Sequence, residues 1–432
     1  MRQKLPIDKF TEPVSRFIHQ EHTSGIVLFI SVLAAIIWVN SPFSHSYHQV
    51  WDLKVSMSIG HYALNHPLHL WINDGLMAIF FFVIGLELKR EFMAGELSTI
   101  KKASLPMVAA LGGMIVPALI YFFINKGTPS AHGWGIPMAT DIAFALALLS
   151  IAGKHIPSSV KVFLSALAVA DDLGAVLVIA IFYSAHIDFA PLTIGFCLLT
   201  FLLIGNKLGI RNIIFYLVIG FAVWVAFLLS GVHATIAGVL VAFTIPARTR
   251  VNEKSYAESL RKLLFDFEEQ IPNNSTLTTP EQHHTIEKIK KLNADAETPL
   301  QKIEYGLHPW VAFVVMPLFA LANAGIMIGA NFFSSLLNPV SMGVAIGLVA
   351  GKFIGVLVAT WLMVKFGAQL PANSNWKQIT GVALLAGVGF TMSLFISGLA
   401  FTHPEMVDQA KYGILLASLL AGILGVIVLK KS

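Results

Sequence analysis

Long apolar runs separated by short polar breaks dominate this chain. Twelve of them approach the roughly 17–25 residues that a membrane-crossing helix needs. They lie at about 24–41, 71–88, 103–124, 134–152, 160–184, 190–205, 212–229, 232–246, 307–330, 340–364, 379–400 and 412–429. The eighth is the least comfortable on length. The first is not a cleavable leader, because it ends in bulky Trp38-Val39-Asn40 and further spans follow. The expectation is an all-α membrane protein with twelve transmembrane helices.

One stretch breaks the pattern. Residues 248–304 hold 19 charged residues, against 29 basic and 24 acidic in the whole chain. They include Asn273-Asn274-Ser275 and an amphipathic piece from Ser255 to Gln270, whose Tyr256, Leu260, Leu263, Leu264 and Phe267 fall near helical spacing. Residues 1–248 then carry spans one to eight and 304–432 carry spans nine to twelve. Between them, 249–303 form a charged, partly helical cytoplasmic loop: a solvated connector, or a regulatory or partner-binding element. The whole is one integral membrane domain.

Composition sharpens this reading. The chain is 56% hydrophobic and 12% charged, where a soluble domain carries about 25% charged residues. That little charge cannot coat a water-facing surface, which excludes both a soluble globule and disorder. A single cysteine, Cys197, excludes a disulfide framework and a Cys-based zinc site. The net charge of +5 suggests nucleic acid until the basic residues are placed. With both termini cytoplasmic, only Lys54, Lys126 and Lys411 fall in outer loops and Lys352 falls within a span; the other 25 of 29 Lys and Arg lie on the inner side. Arg2, Lys4, Lys9 and Arg16 precede the first span, Lys89, Arg90, Lys101 and Lys102 follow the second, and Lys154 and Lys161 mark a later inner loop. The partner is a lipid bilayer, not nucleic acid.

On the outer side, residues 42–70 contain His45, His48, His61, His66 and His69. Without Cys or a tight helical pair aimed at one point, they read as polar loop histidines rather than a metal site. Val50 to Ile59 alternates in part, like a short strand of an outside hairpin whose edge is open to a neighbouring subunit.

An ionisable residue at the bilayer centre costs at least about 2.5–3.5 kcal/mol, so each is a functional candidate. The set is short: Asp74, Glu87, Asp141, Asp171, Asp172 and Lys352, with Glu304 just before the ninth span. Asp171-Asp172 is the most informative. Adjacent carboxylates in low dielectric repel each other and titrate as a coupled unit, so the site holds either protons or a small cation. Successive helical residues differ by about 100° in direction, so one carboxylate faces an ion while the other meets a partner. Asp141 follows Gly133, Gly135 and Pro137, which points to an interrupted helix. Gly381, Gly387 and Gly389 suggest the same in the eleventh span, or plain close packing. Lys352, mid-span, calls for a carboxylate partner, Asp171 or Asp172, or for the negative ends of broken helices. His233 reads as a packed, hydrogen-bonded residue, and Asp74 as a cap at a span's outer start.

These residues carry a resemblance. The chain resembles the NhaA-type sodium/proton antiporters in Trp71-Ile72-Asn73-Asp74 through Gly85-Leu86-Glu87-Leu88-Lys89-Arg90-Glu91, in Ala139-Thr140-Asp141-Ile142-Ala143-Phe144-Ala145, and in Asp171-Asp172-Leu173-Gly174. It does so again in Ser230-Gly231-Val232-His233-Ala234-Thr235, Leu307-His308-Pro309-Trp310, Asn323-Ala324-Gly325, Gly351-Lys352 and Gly389-Phe390-Thr391-Met392-Ser393. The resemblance implies inverted repeats, with spans four and eleven as crossing discontinuous helices. It implies a sodium and proton site at Asp171 and Asp172 with Thr140 as an oxygen ligand, and charge compensation by Asp141 and Lys352. It implies pH regulation through Glu87, Arg90, Glu91, Glu304 and His233, and a homodimer formed through the outer hairpin near 45–60. No cofactor is implied beyond the transported Na+, Li+ and H+. The long charged segment 249–303 departs from the short connection of the best-known members.

The expected function is therefore an electrogenic, pH-regulated secondary transporter of the bacterial inner membrane, exporting Na+ and Li+ against incoming protons; it is not an enzyme. The alternative is a sodium-coupled solute symporter of related architecture. An intramembrane aspartyl protease would need two separated Asp residues in a Gly-x-Gly-Asp-like setting. An ATP-driven pump would need a phosphate-binding Gly-x-x-x-x-Gly-Lys-Ser/Thr loop, and a zinc enzyme a His-Glu-x-x-His helix; the sequence contains none of these.

Overall fold

Water cannot reach backbone groups inside a bilayer, so an apolar run must satisfy its own amides and carbonyls, and a helix does this locally. Helices are what the apolar runs form. The computed structural model describes residues 21–59, 62–153, 155–184, 187–269, 277–329 and 336–432. Arg2, Lys4, Lys9, Arg16, His61, Lys154, Gln270 and Asn273-Asn274-Ser275 lie outside the described residues.

Among the described residues eight helices are each long and apolar enough to cross a membrane: Leu68–Ala94, Ile100–Ile124, Ser158–Phe182, Phe189–Lys207, Ile213–Ser230, Pro299–Asn323, Pro339–Lys365 and Pro404–Lys430. Three sharply bent pairs raise the number to eleven: Thr23–Val39 with Ser44–Trp51, Pro129–Met138 with Ile142–Ala152, and Trp376–Leu385 with Phe390–Ala400. Ala234–Thr244 is a further, shorter apolar helix. Their outer faces stay apolar: Ile214, Val218 and Phe221 line one side of their helix and are all more than half exposed. A water-facing helix would carry polar residues at that spacing.

Boundaries follow local chemistry. Asn212, Asn338 and Asn375 accept the first amides of their helices, and Pro299, Pro339 and Pro404 occupy first-turn positions where no amide is needed. Three expectations shift. The ninth helix starts at Pro299, so Glu304 sits inside it rather than before it. On the outer side the chain is helical over Ser44–Trp51, where Tyr47 packs edge to face against both Trp38 and Trp51. The strand begins only at Lys54 and pairs antiparallel, Lys54–Ile59 with Tyr62–Pro67. Asp74 does not cap the second span; it lies within a π turn, Trp71–Leu76.

Close packing aligns the interior. Gly347, Gly351 and Gly355 recur every four residues and so share one face of the Pro339–Lys365 helix. A Cβ at Gly351 would meet the Pro117 backbone, one at Gly347 the Pro137 ring, and one at Gly355 the Gly112 carbonyl. Small residues let the two backbones touch, and this contact carries Lys352 into the interior.

The eleven-residue helix Ala234–Thr244 packs along Leu68–Ala94, where Gly238 abuts the Ala78 carbonyl. Its last carbonyls are met by side chains. Lys89 Nζ donates to Phe243 O at 2.7 Å and Ile245 O at 2.5 Å, and Asn206 Nδ2 donates to Thr244 O at 2.7 Å. The charged segment forms two helices, Glu253–Glu268 and Pro280–Ala296. Arg250 pairs with Asp295 inside the segment at 3.5 Å, and Arg211 Nη2 ties the segment to the body by donating to Glu297 O at 2.6 Å.

Candidate functional site

Two interruptions meet in the interior. The first separates Pro129–Met138, wound as a tight 3-10 helix, from Ile142–Ala152; the second separates Trp376–Leu385 from Phe390–Ala400. Each break leaves carbonyls at one half-helix end and amides at the next, and in a dry interior these need partners. The breaks supply them to each other. Asp141 N donates to Val388 O at 2.7 Å. Thr140 Oγ1 reaches Ala386 O at 2.8 Å, and Ser393 Oγ donates to Ile136 O at 2.8 Å.

Asp141 serves both amide ends. Its Oδ1 accepts from Phe144 N at 3.0 Å, while Oδ2 accepts from Thr391 N at 3.1 Å and from Thr391 Oγ1 at 2.5 Å. One carboxylate therefore caps the N-termini of two half-helices, where a negative charge is stabilised by both macrodipoles.

Against these breaks lies the middle of Ser158–Phe182, with Asp171 and Asp172 both buried. Asp171 Oδ2 accepts from Thr140 Oγ1 at 2.7 Å and pairs with Lys352 Nζ. Lys352 Nζ also donates to Thr140 Oγ1 at 2.9 Å. Thr140 thus accepts from the lysine and has one hydrogen to give, with two acceptors in reach. Asp172 follows on the same helix, about 100° round from Asp171, and is equally buried. Among the described residues neither Asp171 Oδ1 nor Asp172 Oδ1 has a hydrogen-bond partner.

Unpartnered buried carboxylate oxygens demand a proton or a cation. Two carboxylates and a hydroxyl are hard oxygen donors, suited to a small alkali cation. Among the described residues no three His, Cys, Asp or Glu side chains gather into a metal cage.

A second cluster sits apart. Arg90 pairs with Glu304 at 2.7 Å and Glu91 at 3.2 Å, and Glu87 faces His308 at 3.5 Å. Glu304 is 2% exposed, and its Oε2 has no partner among the described residues. Glu91 Oε2 accepts from Glu96 N at 3.0 Å. His233 belongs to neither cluster: its Nε2 lies 2.7 Å from Tyr183 O.

Asp171, Thr140 and Lys352 are thus in mutual contact, Asp172 and Asp141 adjoin them, and Glu87, Arg90, Glu91 and Glu304 form a separate group. Residue reading missed Thr391, Ser393, His308 and Lys89 as contributors. The first two sit in the Gly389 to Ser393 motif, where two hydroxyls directly after a glycine break were the available signal. Lys89 lay inside a quoted motif but read only as an inner-side charge.

The family model described as Na+/H+ antiporter 1 matches residues 15–429. Relatives include the Na(+)/H(+) antiporter NhaA of Oleidesulfovibrio alaskensis, 49% identical over 427 residues, covering 98% of this chain and 95% of that protein. The Na(+)/H(+) antiporter NhaA 2 of Syntrophotalea carbinolica is 45% identical, covering 98% and 97%. The NhaA antiporter of Sulfurimonas denitrificans is 44% identical, covering 98% and 96%.

Proposed function

The chain belongs to the NhaA family of Na+/H+ antiporters, and from that membership we propose how its own residues carry out the exchange. The protein is a multi-pass bacterial membrane transporter that exchanges sodium ions for protons; it is a secondary transporter and not an enzyme. Asp171 and Asp172 form the exchange site, with Thr140 as a further oxygen ligand. The carrying observation is the pair of buried carboxylate oxygens, Asp171 Oδ1 and Asp172 Oδ1, that lack partners among the described residues beside a lysine–aspartate pair.

The site works by competition. Facing outward, the carboxylates release Na+ and take up protons. Facing inward, they lose protons and bind Na+, so each species must leave before the other enters. Lys352 holds Asp171 while no cation does, and Asp141 neutralises the half-helix ends without entering the exchange. Asp171 and Asp172 are two carboxylates trading protons against one monovalent cation, which favours more protons than sodium ions per cycle and an electrogenic exchange. Li+, smaller and equally hard, fits the same oxygens.

Twelve spans in an inverted-repeat arrangement, with the fourth and eleventh crossing at their breaks, fit the helices and the reciprocal contacts at Thr140 and Ser393. The basic residues favour cytoplasmic termini in the inner membrane, with 249–303 on the cytoplasmic side. The symporter alternative draws no support from these relatives, each named an antiporter.

Glu87, Arg90, Glu91 and Glu304, joined by His308, form the pH-responsive group; His233 acts at a distance, through the Tyr183 carbonyl. Purified protein in liposomes, recorded for sodium and pH together, is expected to show opposed movements that change with membrane potential. Parallel movements would make it a symporter. In the same assay Glu304→Gln, which mimics the protonated acid, is expected to move activation to higher pH. An unmoved profile that shifts only on deleting 253–298 would put regulation in the inserted helices instead.

Among the described residues the paired strands Lys54–Ile59 and Tyr62–Pro67 have no third strand on either side, which fits a homodimer through this hairpin. Deleting 54–67 is expected to leave monomers by light scattering; a surviving dimer would place the interface elsewhere.

A further inference from the structure

We propose that Ser393 is a positioning residue for exchange: by donating to the Ile136 carbonyl it fixes the first interruption in the register that sets Thr140 against Asp171. The proposal rests on Asp171 and Asp172 being the exchange site.

Ile136 O stands near the end of the Pro129–Met138 half-helix, where carbonyls have no helical partner. Its acceptor capacity is met from the other broken helix, by Ser393 Oγ at 2.8 Å. Ser393 is wholly buried, so its hydroxyl, and not bulk water, satisfies that carbonyl. Ile136 precedes Thr140 by four residues, three of them extended or tightly wound, so a displacement at Ile136 O is transmitted to Thr140 with little slack. A glycine makes room for the arrangement: a Cβ on Gly389 would collide with Ser393 Oγ and lie 3.0 Å from the Ala139 carbonyl.

The bond has a reciprocal. Thr140 of the first break reaches Ala386 O of the second at 2.8 Å, while Ser393 of the second reaches Ile136 O of the first. The two partners differ in one respect. Thr140 also bonds to Asp171 and Lys352, whereas among the described residues no hydrogen bond joins Ser393 to either. Ser393 thus acts only through backbone, and its loss should loosen a cation ligand without removing one. Weaker sodium binding with a retained turnover is the signature of that difference.

Ser397 supplies the control. It is equally buried, one turn further along the same helix, and its hydroxyl bonds within that helix to Leu394 O at 2.8 Å. Ser393→Ala in proteoliposomes is expected to raise the half-saturating sodium concentration about tenfold, which is about 1.4 kcal/mol, with maximal rate kept within about twofold of the unaltered protein. Ser393→Thr, which keeps the hydroxyl, should recover most of the affinity, and Ser397→Ala should leave it unchanged. Stabilisation of the detergent-solubilised protein by added Na+ should fall in the same order. Equal affinities for Ser393→Ala and Ser397→Ala would overturn the proposal, as would a loss of melting temperature with unchanged affinity. Asp172→Asn run alongside separates the two claims. If it is inert while Ser393→Ala behaves as unaltered protein, only the role of Ser393 fails. If Asp172→Asn exchanges normally, the site itself is misassigned and the proposal falls with it.

Discussion

Asp172→Asn is expected to reduce sodium-driven proton movement to the level of protein-free liposomes, in a protein that still folds. Asparagine has nearly the same shape but cannot take up or release a proton at any working pH, and it offers a cation a dipole instead of a charge. Among the described residues Asp172 Oδ1 makes no hydrogen bond, so the replacement breaks no contact at that atom. A neutral amide also removes one of two adjacent buried carboxylates, which repel each other whenever both are ionised. Melting temperature in detergent should therefore hold or rise while exchange vanishes, and added Na+ should no longer stabilise the protein. Near-normal exchange would remove Asp172 from the mechanism.

Lys352→Ala is expected to do the opposite to stability. The lysine is wholly buried and its ammonium meets Asp171 and Thr140. Removing one member of a buried pair leaves the other charge uncompensated, at a cost of about 3–5 kcal/mol. The deficit belongs to ionised Asp171, so it should be largest in alkaline solution. It should shrink as pH falls and Asp171 takes up a proton, since the neutral acid needs no counter-charge. Melting curves across pH would show this slope directly. Exchange should fall as well, because Asp171 then competes for protons without its partner. Unchanged melting together with unchanged activity would deny Lys352 both roles.

Much of this was legible in the residues, for identifiable reasons. Asp171, Asp172 and Lys352 stand out because charge in an apolar run is costly, and Pro137 with its flanking glycines announces an interruption. What could not be read was the pairing across distance. That Thr140 meets Ala386 O, or that Ser393 of a remote helix satisfies Ile136 O, depends on how two breaks dock, and no local pattern encodes docking. Asp74 went wrong for a related reason. An acid near a span's start reads as a cap, but the π turn around it is set by neighbours such as Trp224, whose Nε1 donates to Asp74 O at 3.3 Å. The outer segment misled differently: partial alternation over 50–59 hid a helical turn that the aromatic cluster of Trp38, Tyr47 and Trp51 holds together.

The stub Ala234–Thr244 carries one more lesson. Eleven residues rise only roughly 16 Å, about half the thickness of an oil layer of about 30 Å. Most of its side chains are buried, and an ammonium group and an amide stand where solvent would otherwise wet its final carbonyls. Twenty residues is thus a statement about how far a lone cylinder must go to find moisture. A helix sheathed by its neighbours, with Lys89 as its private source of hydration, is excused from the journey.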